Sequence, residues 1–321
     1  MREIMNNITN IDALAKGEIQ EESKVKLKEV FSVPVIVDND QELEFETDSW
    51  IMKILWLPLR LFLNMLPAKL GGMIFTAFSR PSGDTKTVHR WATTYKAVEV
   101  PYTYPIRRAQ GKTNFSDDFW ENFLLSARGV RNRLKIVKRE LTMVIEDICK
   151  KRNPVNLVSL GSGSARGVIE VVAQFRNSCL IRFKCIDLSR KAIQFSRDLA
   201  SKYGVVTLGE WHRDFAHNVR KYCSNPDIIE VVGLFDYYEG EQAVNLLHEC
   251  YQALDFGGWL IISNAVPNVE VPFFTKGVNW KLIYRTPEQL AELLVQSGFS
   301  VKKILLEPLR VHTVIVAQKL A

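Results

Sequence analysis

From Val155 to the C-terminus the chain alternates short apolar runs with amphipathic stretches, and that rhythm leaves few folds open. "VNLVSL" reads as a buried strand, "ARGVIEVVAQF" as a helix, "IRFKCIDL" as a strand and "RKAIQFSRDLASKY" as a helix. A short strand in "GVVTLGEWHRDF" follows, then a strand at "PDIIEVVGLF", a helix at "GEQAVNLLHECYQAL" and a strand at "GGWLIISNAV". Apolar runs of strand length separated by helices specify a parallel sheet covered on both faces. The ending breaks the alternation. After a helix at "TPEQLAELLVQSGF", with Thr286 as N-cap and Pro287 in its first turn, come "SVKKILLEPL" and "VHTVIVAQKL". Only a few residues around Pro308 join these two strands, and a connection that short makes them antiparallel.

The N-terminal part follows other rules. Residues 1–48 read as peripheral, with a short strand at "SVPVIVD". Trp50 to Phe78 is strongly apolar, but Lys53, Arg60 and Lys69 interrupt it and Pro58 and Pro67 lie inside. No uninterrupted apolar run reaches the roughly 20 residues of a spanning helix. The expectation is broken amphipathic helices packed on the core, with an interfacial membrane contact as the lesser reading. Residues 79–114, rich in Pro, Thr, Tyr and Arg, read as a long excursion. Ser116 is expected to begin a helix with Asp117, Asp118 and Glu121 in its first turns. Val130, Leu134, Val137, Leu141, Ile145 and Ile148 mark its buried face. Arg128, Arg131, Lys135, Lys138 and Arg139 form a basic stripe, read as a solvated face rather than a nucleic-acid or anionic-lipid contact.

Charge and cysteine usage narrow the setting. A net charge of +6 over 321 residues permits an acidic partner without requiring nucleic acid. The five cysteines, Cys149, Cys179, Cys185, Cys223 and Cys250, form no C-x-x-C pair. An odd, scattered set points to a reducing compartment and no disulfide frame. The polar N-terminus lacks a signal-peptide core, so the expected location is cytoplasmic, with a peripheral membrane contact through Trp50–Phe78 held open. His212, His217 and Cys223 have metal-ligand composition but no matching partners, so no metal is expected. "HRD" at 212–214 and "DFG" at 255–257 lack the spacing and companion motifs of a kinase.

The chemistry is concentrated where strands end. "NLVSLGSGSARG" carries Gly161, Gly163 and Gly167 between a strand and a helix N-terminus. Glycine permits the turn and the close approach of backbone to a ligand, and the helix end adds partial positive charge. Its spacing is G-x-G-x-x-x-G, with Arg166 where a dinucleotide binder has its third glycine, which argues against NAD. Asp187 ends the next strand, where a carboxylate accepts from ribose hydroxyls or simply caps a helix. Asp214 and Phe215 follow a further strand, and Gly233 to Tyr238 leave the fourth.

In this order the pieces resemble the class I S-adenosylmethionine-dependent methyltransferases over roughly residues 130–320. The resemblance implies a Rossmann-like, seven-stranded, mostly parallel α/β sheet with an antiparallel last strand. It implies S-adenosylmethionine held by Gly161, Ser162, Gly163, Ala165, Asp187, Leu188, Asp214, Phe215 and Gly233. "LDFGG" resembles the family's L-x-P-G-G turn. Ser159 stands where an acid often precedes the glycines, and Ala165 replaces a glycine. The cofactor's amino group is therefore expected to be met by backbone or another side chain. "GLFDYY", "SNAVPN" and "NWKLIYRTPEQL" also resemble the bacterial branch of 3-hydroxypalmitic acid methyl ester biosynthesis, although Asn279 replaces that branch's acid before Trp.

A sulfonium methyl is already activated, so such an enzyme chiefly aligns a nucleophile and excludes water. A carboxylate acceptor needs an anion site, for which Tyr284, Arg285 and Asn264 are the candidates. A hydroxyl or amine would be oriented or deprotonated by Tyr237, Tyr238 or Asp236. The expected division is an N-terminal helical and loop region, 1–115, acting as lid and acceptor site, and a methyltransferase domain, 116–321. The expected acceptor is a small or lipid-like molecule, and a homo-oligomer is compatible with the sequence. An RNA methyltransferase and a non-catalytic cofactor-binding scaffold are the alternatives.

Overall fold

An eight-stranded sheet organises the chain, in a computed structural model that describes residues 33–67, 70, 73, 77 and 80–320. Its spatial order is β1 (Val35–Val37), β7 (Ser300–Leu306), β8 (His312–Gln318), β6 (Trp259–Ala265), β5 (Ile228–Val231), β2 (Val155–Leu160), β3 (Ile181–Ile186) and β4 (Gly209–His212). β8 runs antiparallel to both neighbours, and every other pair is parallel. The seven-stranded pattern with a reversed last strand is thus present, and the segment at "SVPVIVD" adds an eighth strand on the edge beside β7. The chain leaves β2 outward through β3 and β4, then returns to β5 on the other side of β2. A sheet of this kind opens a crevice at the carboxyl ends of the strands where the order reverses.

Among the described residues, the helices of eight residues or more are α1 (Trp50–Met65), α2 (Gly83–Arg90), α3 (Tyr95–Ala109), α4 (Phe115–Phe123), α5 (Leu125–Cys149), α6 (Arg166–Gln174), α7 (Arg190–Lys202), α8 (Gly240–Ala253) and α9 (Pro287–Gln296). Ile136, Leu141 and Ile145 of α5 and Ile169 of α6 bury one sheet face. Leu246 and Leu247 of α8 and Leu290 and Leu294 of α9 bury the other.

Four expectations fail. In the excursion expected at 79–114, the described residues 80–114 are largely helical. Pro101 and Pro105 inside α3 hide the helix from a sequence pattern, yet Ala97, Val100 and Tyr104 are buried and Arg107 forks onto Asp84 at 2.7 and 2.8 Å. The helix expected from Ser116 starts after Asn114, whose side chain forms a capping box with Asp117, and it stops at Phe123. Leu124 is extended, and α5 starts afresh with its Leu125 and Ser126 amides donating to the Glu270 carboxylate at 2.8 and 3.0 Å.

The basic stripe is not a solvated face. Segment 38–48 runs across it as an acidic strap: Arg139 pairs with Asp38 and Asp40, Arg131 with Glu46, and Arg128 with Asp48. Lys138 pairs with Glu170. These cations are spent on the chain's own acids, which removes the main sequence argument for a nucleic-acid contact. Cys149 and Cys179 are joined in a disulfide, because the end of α5 and the approach to β3 lie side by side. The expected absence of disulfides is therefore wrong, and cysteine usage no longer argues for a reducing compartment.

The first part of the apolar segment, Trp50–Met65, forms α1 as one helix through Pro58, and most of the segment beyond Pro67 lies outside the described residues. Its Trp56 packs edge-on against Phe119 and Phe123, while Trp50, Ile54, Leu61, Phe62 and Met65 stay exposed. No helix among the described residues is long and apolar enough to cross a membrane.

Candidate functional site

β2 ends in a turn whose backbone only glycine adopts freely. Gly161 and Gly163 have φ of 57° and 55°, and a Cβ on Gly161 would lie 2.7 Å from Leu234 Cδ1. Ala165, at φ 50°, takes the same left-handed conformation as N-cap of α6, which explains why glycine is usual there. Asp187, just beyond β3, ties this loop to the next. One carboxylate oxygen accepts from Gly163 N–H at 2.8 Å and the other from Ser189 N–H at 2.7 Å.

Gly161, Ser162, Gly163, Ala165, Asp187, Leu188 and Gly233 line one cleft of about 280 Å³. Tyr95, Val98 and Tyr102 of α3 form the facing wall. That wall is anchored by Glu99, which pairs with the buried Arg166 guanidinium at 2.6 Å behind the glycine loop. Arg166 is therefore structural, bracing α3 against α6.

Asp214 and Phe215 do not line this cleft. The Asp214 carboxylate accepts from Tyr222 O–H, the Asn218 amide, Phe215 N–H and Lys221, and these donors hold it well below the usual carboxylate range. It closes its own loop, and Phe215 stacks on His217.

Two charged groups that the sequence reading did not single out border the cleft. Glu230 of β5 lies in register with Ser159 of β2, whose hydroxyl donates to Glu230 Oε2 at 2.5 Å. Burial pushes the Glu230 carboxyl up to about 7. Arg133 of α5 is 3% exposed. It donates to Tyr102 O–H at 3.0 Å, its Nε has no hydrogen-bond partner, and no carboxylate among the described residues lies within ion-pair distance of it. A charged residue inside the apolar run "DIIEVV" was the available sequence signal for Glu230. Arg133 sits beside the basic stripe and is indistinguishable from it by eye.

A second, apolar cavity of about 110 Å³ opens beside the first. Val98, Arg133, Gly233 and Tyr237 border both. Trp120, Leu124, Val271, Phe274, Trp280 and Leu282 supply apolar wall, and Asp236, Tyr237, Tyr284 and His312 supply polar groups. Burial pushes the Tyr284 phenol up to about 12 and raises that of Tyr237 further, so both are neutral donors. Tyr237 O–H accepts from Trp280 Nε1–H at 2.9 Å. Burial and the nearby Arg133 charge hold His312 well below its usual range, and its Nδ1 has no partner.

Of the four candidate catalytic residues, Tyr237 and Tyr284 line this cavity, and Tyr238 and Arg285 do not. Arg285 donates to Asn264 Oδ1 at 2.8 Å and to the carbonyls of Phe235 and Tyr238 at 3.3 and 2.5 Å. The Asn264 amide in turn donates to Asp236 at 2.8 Å. Arg285 and Asn264 thus knit the 233–238 loop to β6 and leave no free guanidinium there for an anion.

The cofactor implied by the resemblance fits this chain. Side chains at 161 and 163 would fill the cradle, Asp187 keeps lone pairs beyond its two backbone bonds, and an unpartnered Arg133 nitrogen stands at the junction with the second cavity.

Comparison with known proteins agrees. A family model described as "Putative methyltransferase" matches residues 99–319. Among solved structures, a possible exported protein from Bordetella parapertussis has a TM-score of 0.67 at 16% identity, covering 84% of this chain and 94% of its own. Magnesium protoporphyrin IX methyltransferase from Synechocystis PCC 6803, with SAH bound, has a TM-score of 0.50 at 13% identity, covering 68% of this chain and 96% of its own. These likenesses show the fold. No curated protein matches the chain. Matched from the wall helix α3 through the glycine loop to the closing hairpin, this chain belongs to that methyltransferase family.

Proposed function

We propose that this protein transfers the methyl group of S-adenosylmethionine to the carboxylate of an apolar, lipid-like acid. The observation that carries the reading is the apolar cavity sharing Gly233 and Tyr237 with the glycine-loop cleft. S-adenosylmethionine supplies an electrophilic methyl on a sulfonium.

The chain's own residues then have three tasks. Asp187 and the 161–163 turn orient the nucleoside side. Trp120, Phe274 and Leu282 exclude water around the acceptor body. Neutral Tyr237 and Tyr284 donate hydrogen bonds to the acceptor oxygens, so they position a carboxylate and are poor bases for a hydroxyl. A carboxylate needs no proton removed, which suits a cavity whose phenols stay protonated. A cavity of about 110 Å³ holds only the reacting end of a fatty acid. We place the rest of the chain along α4 and the exposed apolar side of α1, with residues 1–115 as the acceptor-side region and 116–321 as the catalytic domain. The same α1 surface suits a peripheral membrane contact as the source of such acids.

The test uses cofactor labelled in its methyl group with a panel of fatty acids and the matching alcohols. The expected product carries label that mild base releases as methanol, the mark of a methyl ester. Base-stable label in alcohols or RNA overturns the reading. Tyr284→Phe is expected to lower kcat/KM for the acid about tenfold while changing S-adenosylhomocysteine affinity less than twofold. Deleting residues 50–78 is expected to remove acceptor binding and spare cofactor binding, and equal loss of both counts against the lid role.

A further inference from the structure

We infer that Glu230 and Arg133 together read the amino-acid end of the cofactor, Glu230 receiving its ammonium and Arg133 its carboxylate. This rests on the reading of the glycine-loop cleft as the S-adenosylmethionine site and names which side chains there recognise the zwitterion.

Glu230 and Arg133 both line that cleft and are nearly inaccessible to solvent, at 8% and 3% exposure. Neither has the partner such burial calls for. Glu230 Oε2 accepts one bond, from neutral Ser159, and Oε1 accepts none among the described residues. Arg133 has one neutral partner in Tyr102, and its Nε has none. They influence each other through space but form no ion pair. A buried anion and a buried cation left apart are costly. A ligand with an ammonium and a carboxylate on one carbon, lying between them, satisfies both at once. Their positions fit that task. Glu230 lies across from Ser159, just before the glycine turn, and the Arg133 guanidinium rests near Gly233, whose added Cβ would meet it at 3.6 Å. The side chain that meets the amino group therefore comes from β5, the strand next to the glycine strand.

Burial supports a pH signature. Burial pushes the Glu230 carboxyl up to about 7, so binding an ammonium below that pH must first release the Glu230 proton. The other groups facing Glu230 are Ser159 from β2, Arg133 from α5 and Cys185 from β3; burial pushes the Cys185 thiol well up. None of these three titrates between pH 6 and 8.

The test is calorimetry with four ligands: S-adenosylhomocysteine, its analogue lacking the amino group, its analogue lacking the carboxylate, and 5′-methylthioadenosine, which lacks both. Glu230→Gln is expected to weaken S-adenosylhomocysteine at least about tenfold and to change the deaminated analogue and 5′-methylthioadenosine less than twofold. Arg133→Met is expected to weaken S-adenosylhomocysteine similarly and to leave the decarboxylated analogue unchanged. Wild-type affinity for S-adenosylhomocysteine is expected to rise between pH 6 and 8, and that of Glu230→Gln to stay flat. Retained 5′-methylthioadenosine binding reports an intact site in each variant. If Glu230→Gln weakens all four ligands equally, or none, the assignment is overturned while the cofactor site stands. If the wild-type protein binds neither S-adenosylhomocysteine nor 5′-methylthioadenosine, the reading of the cleft itself falls, and the assignment with it.

Discussion

Asp187→Ala is expected to weaken S-adenosylhomocysteine binding about 100-fold, because the lost carboxylate serves the ligand and the loop together. On the proposed reading its remaining lone pairs accept from the ribose hydroxyls. Hydrogen bonds to a charged group contribute about 1.5–3 kcal/mol each. Its two protein bonds, from Gly163 N–H and Ser189 N–H, also fix the glycine turn against the start of α7. Asp187→Asn keeps the shape and one acceptor oxygen, and the expected loss is nearer tenfold. The decisive readout is 5′-methylthioadenosine, which carries the ribose without the amino acid. It must weaken in parallel with S-adenosylhomocysteine, whereas Glu230→Gln leaves it alone. Unchanged 5′-methylthioadenosine affinity in Asp187→Ala would sink the ribose role.

The sheet and the glycine loop were legible because they are written locally. Strand-length apolar runs such as "VNLVSL" and "PDIIEVV" and the short link around Pro308 each constrain their own segment. What stayed hidden depends on residues far apart. Asn114 and Glu270 set where α4 and α5 begin, and Glu270 lies 145 positions beyond the Leu125 amide it caps. Proline inside α3 defeats any propensity argument, yet tertiary contacts hold the helix. The same limit applies at the site. Asp187 falls at a strand end, so topology locates it. Glu230 acquires its role only from the register that sets β5 beside β2, and Arg133 only from how α5 is rotated. Arg285 illustrates the converse: an arginine in the loop before α9 looks like an anion receptor until the carbonyls it binds are seen.

The basic stripe turned inward carries the largest expected stability effect. Arg131 is 4% exposed and shared between Glu121, at 2.6 Å, and Glu46, at 2.5 Å. Removing the cation leaves two carboxylates facing each other, one of them buried. Arg131→Met is therefore expected to lower unfolding free energy by about 3–5 kcal/mol, measured by urea denaturation. The pH dependence has a definite sign. Burial raises the folded-state carboxyl of Glu121 from 4.5 to about 7, against the pull of Arg131. A carboxyl raised on folding contributes stability that is full below its unfolded value and lost as pH climbs through the folded one. Without Arg131 that rise is larger, so the destabilisation should be greater at pH 8 than at pH 5.5, where Glu121 takes up a proton. Adding Glu121→Gln removes the titrating group, and the double variant should recover part of the loss and most of the pH dependence. An equal loss at both pH values would show that Arg131 acts through packing of its stem, with no part played by the buried carboxylate. The strap of residues 38–48 is then the next element to respond, since Glu46 holds it to α5 through the same guanidinium.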